Sequence, residues 1–284
     1  MLVSVCIPSY NQTRFLKKAL ESLCEQSFRD FEVIVSDDST QPDVEQLVRS
    51  YAQRLPIVYH KNSKPLGSPA NWNKCLELAK GDYIKFIHHD DWLAGPDSLM
   101  QFVNTCQKNA NAGLVFCTSM ILNVAEDTIS YNRPGEPFLQ ALRNDPGILF
   151  NSNQIGSPTA VMFKRSDLRF DEKMKYLVDV DFYIRLLQQH NSFVFISEAL
   201  IVNTSNHPGQ VTSQSLNRET QLGEYSYLYN KLFQGRVPDR ALSRFFISLF
   251  RHHDIKKLND IRTFAELPRP HWYFRLLVFL GRNL

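Results

Sequence analysis

Carboxylates dominate the chemistry written into the early part of this chain. Asp37-Asp38-Ser39 follows an apolar run at 31–36, Asp90-Asp91 follows another at 83–87 through His88-His89, and Pro8-Ser9-Tyr10-Asn11 follows a third at 2–7. Paired acids repel phosphate directly, but they suit a hard divalent cation that in turn holds phosphate oxygens. A further acidic segment, Leu177-Val178-Asp179-Val180-Asp181, stands where a later helix is expected to begin. Each cluster has a plainer alternative. Asp37 and Asp38 would serve as caps for a following helix, and Asp90-Asp91 would form a solvated turn before Trp92. Asp179 stands at an N-cap position, with Asp181 and Arg185 spaced as a favourable i,i+4 pair. His88 and His89 raise the question of zinc; no cysteine or third histidine stands at ligand spacing, so they read as pocket lining. Trp92, beside the acids, is a candidate platform for a ligand ring, whereas Trp72 reads as core.

The elements that must position these groups alternate short β-branched runs with amphipathic segments. Strands are expected at 2–7, 31–36, 57–59 and 83–87. Between the first two, Phe15, Leu16, Ala19, Leu20 and Leu23 recur at helical spacing behind a cap at Thr13 or Asn11. Val44, Leu47, Val48 and Tyr51 mark a second helix, and a third spans 70–80, closed by Gly81. This is the pattern of βαβ units and a largely parallel sheet. In an open parallel sheet, ligands bind beyond the carboxyl ends of the strands, so the clusters after strands one, two and four should share one crevice, with the second and fourth strands as neighbours.

Beyond residue 91 the pattern loosens. A helix is expected at 98–109 and a strand at 114–117, followed by a Pro/Gly/Asn-rich stretch from 132 to 158 that reads as a substrate loop. A strand at 159–163, a helix at about 180–189 and a strand at 193–196 complete the α/β part. From 216 onward the reading is helical, with Pro268-Arg269-Pro270 setting off a last segment at 271–280. The expected organisation is an α/β domain over 1–215 and a helical extension over 216–284.

Composition narrows the function. The chain has 284 residues, 43% of them hydrophobic and 21% charged, enough for a core of ordinary size and wrong for a disordered chain. Its formal charge is +3, yet residues 251–284 carry seven Lys/Arg against three Asp/Glu, so the basicity lies in the tail. A near-neutral body argues against nucleic-acid binding. Five irregularly spaced cysteines read as reduced, mostly buried thiols of a cytoplasmic protein. No export signal is read at the N-terminus, and no apolar run approaches the roughly 20 residues of a membrane-spanning helix. The eleven glycines never stand two apart, which excludes G-x-G-x-x-G, and no P-loop pattern occurs.

The runs Val3-Ser4-Val5-Cys6-Ile7-Pro8-Ser9-Tyr10-Asn11, Phe31-Glu32-Val33-Ile34-Val35-Ser36-Asp37-Asp38-Ser39-Thr40 and Ala79-Lys80-Gly81-Asp82-Tyr83-Ile84-Lys85-Phe86-Ile87-His88-His89-Asp90-Asp91 resemble, in order and spacing, the family 2 inverting glycosyltransferases with the GT-A fold. The resemblance covers about residues 1–215. It implies that Pro8, Tyr10 and Asn11 help bind a nucleotide-diphosphate sugar, with Tyr10 against the base and Asp38 accepting a hydrogen bond from it. It implies that Asp90 and Asp91 are the last two acids of the metal motif, one near the ribose and one on Mg²⁺ or Mn²⁺, with His88 replacing the usual first acid. Asp179 takes the position of the catalytic base, and Val178 replaces a residue commonly acidic in relatives. Asn206-His207-Pro208-Gly209-Gln210-Val211-Thr212 is similar to a loop that follows the catalytic core, where His207 would face the diphosphate or the metal.

The expected activity is metal-dependent sugar transfer to a glycan or lipid-linked acceptor in surface-polysaccharide synthesis. A nucleotidyltransferase would need a basic Gly-rich loop where Pro8-Ser9-Tyr10-Asn11 stands, and a glycosidase has no use for a base pocket or a metal. A non-catalytic sugar-nucleotide or membrane-surface binding module is the alternative from another class. The segment His271-Trp272-Tyr273-Phe274-Arg275-Leu276-Leu277-Val278-Phe279-Leu280 suits a bilayer interface on the inner face of the cell membrane. It equally suits a helix docked on the body or a homodimer contact.

Overall fold

Seven consecutive buried residues make β1 (Val3–Ser9) a strand covered on both faces, which suits its β-branched composition and a parallel environment. The computed structural model describes residues 2–207, 217–262 and 265–283. β1 pairs in parallel with β2 (Phe31–Asp37) and with β4 (Tyr83–Phe86), and β3 (Ile57–Lys61) pairs in parallel outside β2. The second and fourth strands are therefore not neighbours: β1 lies between them, and its end joins the acidic ends of both. The sheet continues with β5 (Trp92–Leu93), β6 (Leu114–Asn123), β7 (Thr128–Asn132), β8 (Val161–Lys164) and β9 (Phe193–Ser205). The order is β3-β2-β1-β4-β8-β6-β9-β5, with β7 beside β6. The first four strands are parallel and the rest mixed: β8 is antiparallel to β4 and β6, while β9 is parallel to β6.

Helix α1 (Arg14–Cys24) buries Phe15, Leu16, Ala19, Leu20 and Leu23, as their period requires, against Val3, Val5, Val33 and Val35 in one core cluster. Thr13 precedes it without a side-chain cap, and Asn11 bonds elsewhere. α2 (Asp43–Ser50) starts behind Pro42, so Asp37 and Asp38 do not cap it. α3 (Ala70–Leu78) ends before Gly81. That glycine is needed for close approach: a Cβ there would lie 2.6 Å from Ser4 N and 2.8 Å from Leu2 O. α4 (Ser98–Lys108) follows the acidic turn. The stretch at 132–158 is not one long loop, since it holds α5 (Glu136–Asn144) and a 3₁₀ turn (Pro146–Phe150) that bury Phe138, Leu139, Leu142, Leu149 and Phe150. α6 spans Val178–His190.

Two compact units divide the chain: residues 1–172 with 182–210, and residues 173–181 with 211–284. The first contains the sheet. In the second, α7 (Arg218–Phe233), α8 (Arg240–His252) and α9 (His271–Asn283) share an aromatic core, with Phe246 edge-on to Tyr229 at 5.2 Å and to Phe274 at 4.8 Å. α9 is docked through Phe274, Leu277 and Val278, yet it leaves Trp272, Leu276 and Phe279 exposed. The expected domain edge at 215/216 lies outside the described residues, as do Pro208 to Thr212 of the expected loop. All five cysteines are free thiols, four of them buried. No described helix is long and apolar enough to cross a membrane.

Candidate active site

The carboxyl ends of β1, β2 and β4 carry the predicted side chains to one edge of the sheet. Beyond β1, Asn11 adopts a left-handed backbone (φ 49°) and ties the first two strand ends together. Its amide donates to Ser39 Oγ at 2.7 Å, and its Oδ1 accepts from Thr40 N at 3.0 Å. Pro8 is buried and Tyr10 is 51% exposed. Asp38 is buried and anchored: Oδ1 accepts from Asn62 Nδ2 at 2.7 Å and Oδ2 from Gly67 N at 2.8 Å. Asp37 is wholly buried and accepts from Tyr59 OH at 2.7 Å, Lys61 Nζ at 3.0 Å and Ser39 N at 2.8 Å. Burial works against its charge, but these donors outweigh it and hold its pKa below the usual carboxylate value.

After β4 the chain turns through His88-His89-Asp90-Asp91. Donor atoms of His88, Asp90 and Asp91 all lie within 4.8 Å of one another. Asp91 is held from three sides: Thr159 Oγ1 and Asn203 Nδ2 each donate to Oδ2 at 2.6 Å, and Thr204 N donates to Oδ1 at 3.2 Å. Burial, and then the charge of Asp90, push its pKa up despite those donors. Asp90 is less enclosed, and its Oδ2 stands 3.2 Å from His207 Nε2. Burial opposes ionisation there too, but the His207 bond and the neighbouring histidines lower its pKa. His89 Nδ1 lies 3.2 Å from the carbonyl of Pro8, which links the β1 and β4 ends.

His88 Nε2 is a buried ring nitrogen with no hydrogen-bond partner among the described residues, and burial keeps the ring neutral by lowering its pKa to about 4. A neutral imidazole nitrogen with two carboxylates is a donor set that fits a divalent cation, so the residues present suit the metal the motif implies. Trp72 packs against His88 at 4.7 Å and Phe170 at 5.1 Å, as a wall behind that ring. Trp92 stacks on Phe15 at 6.4 Å with Lys18 Nζ over its ring at 4.6 Å, and Phe15 in turn touches His207 at 4.9 Å. Asp179, in the second unit, is half-buried in the first turn of α6, where its Oδ1 accepts from Val180 N at 2.9 Å.

Several residues of the site carry no sequence signal. Thr159, in a 3₁₀ turn before β8, donates to Asp91 and accepts from His88 N at 3.1 Å. Beneath it, the fully buried Lys85 donates to the carbonyls of Thr159 and Val161 and sits 4.1 Å from the Phe102 ring. Burial lowers the Lys85 pKa to about 8. Asn203 and Thr204 lie just before His207, so the expected loop pointed to their neighbourhood without identifying their task.

An α/β sheet whose central parallel strands end in acidic residues matches the architecture of GT-A glycosyltransferases. The chain belongs to glycosyl transferase family 2, whose signature matches residues 4–170. It is 26% identical over 242 residues to the glycosyltransferase RT0329 of Rickettsia typhi, an alignment covering 81% of this chain and 70% of that protein. Its fold superposes on Staphylococcus aureus TarS 1–349 in complex with UDP-GlcNAc with a TM-score of 0.66 at 19% identity, over 99% of this chain and 89% of the other. The mannosyltransferase PcManGT of Pyrobaculum calidifontis, in complex with GDP-Man and Mn²⁺, gives 0.60 at 17% identity, over 99% and 74%.

Proposed function

We propose that this chain moves a sugar from a nucleoside-diphosphate donor to an acceptor hydroxyl, with inversion at the anomeric carbon and with Mg²⁺ or Mn²⁺ as cofactor. The observation that carries the reading is the convergence of His88, Asp90 and Asp91 at the end of β4, beside the end of β1, which β2 flanks on its other side. Asp90, Asp91 and His88 would hold the cation, with His207 beside Asp90. A bound cation offsets charge on the departing diphosphate. Tyr10 and Asp38 serve the base and Asn11 fixes the loop between them; Trp92, with Phe15, walls the His207 side. The ligands named for TarS and PcManGT, UDP-GlcNAc and GDP-Man, support a donor of this chemical class.

Asp179 is assigned as the general base on the match of its segment to the family pattern. It removes the proton from the acceptor hydroxyl as that oxygen attacks the anomeric carbon opposite the diphosphate, and a single displacement inverts the centre. The acceptor is assigned to a surface glycan, lipopolysaccharide or capsule, carried on a lipid. The exposed Trp272, Leu276 and Phe279 of α9, with exposed Arg275 on the same helix, support contact with an anionic cytoplasmic membrane surface.

The deciding experiment incubates the protein with UDP- and GDP-sugars, with Mn²⁺ or with EDTA, and follows melting temperature and nucleoside-diphosphate release. A metal-dependent rise in melting temperature with turnover is expected. Tight donor binding with no transfer to any acceptor, and no hydrolysis, would instead make the chain a binding module.

A further inference from the structure

α6 starts just after Leu177. Leu177, whose carbonyl accepts from Asp181 N at 3.0 Å, is apolar, and the amides that precede the helix need acceptors from elsewhere. One carboxylate of α7 supplies them. Glu224 Oε1 accepts from Lys175 N at 2.7 Å, and Oε2 accepts from Tyr176 N at 2.9 Å and Leu177 N at 2.8 Å. Glu224 is 8% exposed, so these bonds replace water. The same face of α7 continues at i+3 and i+7. Tyr227 has the Lys173 ammonium 5.8 Å from its ring centroid, and Lys231 Nζ pairs at 2.7 Å with Oδ1 of the fully buried Asp181. One helix face thus grips both ends of the segment 173–181, and Asp179 stands between two anchored residues, Leu177 and Asp181.

We infer that Glu224 and Lys231 are positioning residues for Asp179, so that the first helix of the C-terminal extension fixes the backbone carrying the base. The inference rests on the assignment of Asp179 made above. It gives the extension a part in the reaction besides any contact with membrane. A glutamine at 224 keeps the volume but offers one acceptor oxygen where three amides now share two, and its NH₂ group would face donors. The grip on Lys175, Tyr176 and Leu177 should loosen while the rest of α7 stays packed.

The test compares the wild type, Glu224→Gln, Asp179→Asn and the double variant in steady-state transfer, with Mn²⁺ and donor affinities measured by calorimetry on the same preparations. Glu224→Gln is expected to lower kcat by roughly 10²-fold, the scale of a small misplacement of a reacting group. Donor and Mn²⁺ affinities should stay unchanged, and hydrogen exchange at the Lys175 to Leu177 amides should quicken. In the Asp179→Asn background the same change should cost nothing further, because a residue acting through the base has nothing left to position. Should Glu224→Gln not fold, Lys231→Gln, at the more exposed end of the grip, carries the same comparison. Full kcat in the position-224 variant, or a loss that multiplies with Asp179→Asn, would overturn the inference and leave the base in place. An Asp179→Asn protein with full activity would remove the base assignment itself, and the positioning role with it.

Discussion

Asp90 Oδ2 and His207 Nε2 stand 3.2 Å apart, and the Thr204 hydroxyl locks the pair by donating to the Asp90 carbonyl at 2.8 Å while lying 3.0 Å from the same ring nitrogen. An imidazole from the end of β9 is thereby held against the acid at the end of β4. Replacing His207 by alanine is expected to weaken Mn²⁺ binding 10–100-fold, the usual effect of removing a group that orients a metal ligand. Asp90→Asn should remove detectable binding. Titration of free Mn²⁺ by electron paramagnetic resonance measures both, and unchanged affinity in Asp90→Asn would detach the metal from this turn.

Thr159 supports the site from the opposite side, bonding Asp91 Oδ2 and the amide of His88 with one hydroxyl. Thr159→Val keeps the shape and removes both bonds. The expected cost is about 1–3 kcal/mol of stability, since buried polar groups lose a partner, together with weaker donor binding in the presence of Mn²⁺. Urea unfolding and calorimetry read the two effects; a variant as stable as the wild type would show that Asp91 finds another donor.

Asp179→Asn should lower kcat by about 10²–10⁴-fold, the contribution of a general base, without changing donor affinity. A rate within twofold of wild type, at saturating donor and acceptor, would move the base elsewhere.

The buried Asp37 ties stability to acid. Its folded-state pKa lies below the ordinary carboxylate value of 3.8, so on acidification the unfolded chain takes up the proton first. The stabilisation is complete above that value and is lost as the pH falls through the lower, folded-state pKa. Asp37→Asn, which no longer needs a proton, should flatten the dependence of stability on pH below about 4. Denaturant unfolding from pH 3 to 6 tests this, and parallel curves for the two proteins would exclude Asp37 as the source.

Serine at Trp272, Leu276 and Phe279 together should abolish sedimentation with anionic vesicles while leaving transfer to a water-soluble acceptor unchanged, because these side chains are exposed and outside the docked face of α9. Retained sedimentation would place the membrane contact elsewhere or remove it.

Much of this protein was legible in its residues. Periodicity located the strands and helices of the βαβ part because it records which face of each element is buried, and that is a local property. The motifs after strands one, two and four reached the same sheet edge for the same reason: in parallel strands, corresponding ends point one way. The reading failed where the signal was not local. The stretch from 132 to 158 reads as a loop because its Pro, Gly and Asn mask a short helix whose stability comes from burying Phe138, Leu139 and Leu142.

By itself the sequence determined which side chains arrive at the strand ends and in what order. Only the tertiary structure decided how each is used. Asp90 and Asp91 are adjacent and identical in type, yet Asp91 is enclosed by Thr159, Asn203 and Thr204 while Asp90 faces His207. Glu224 looks like any surface acid of a helix until Lys175, Tyr176 and Leu177 turn their amides toward it. Those partners come from distant parts of the chain, and a hydrogen bond depends on separations of a few ångströms that only packing sets.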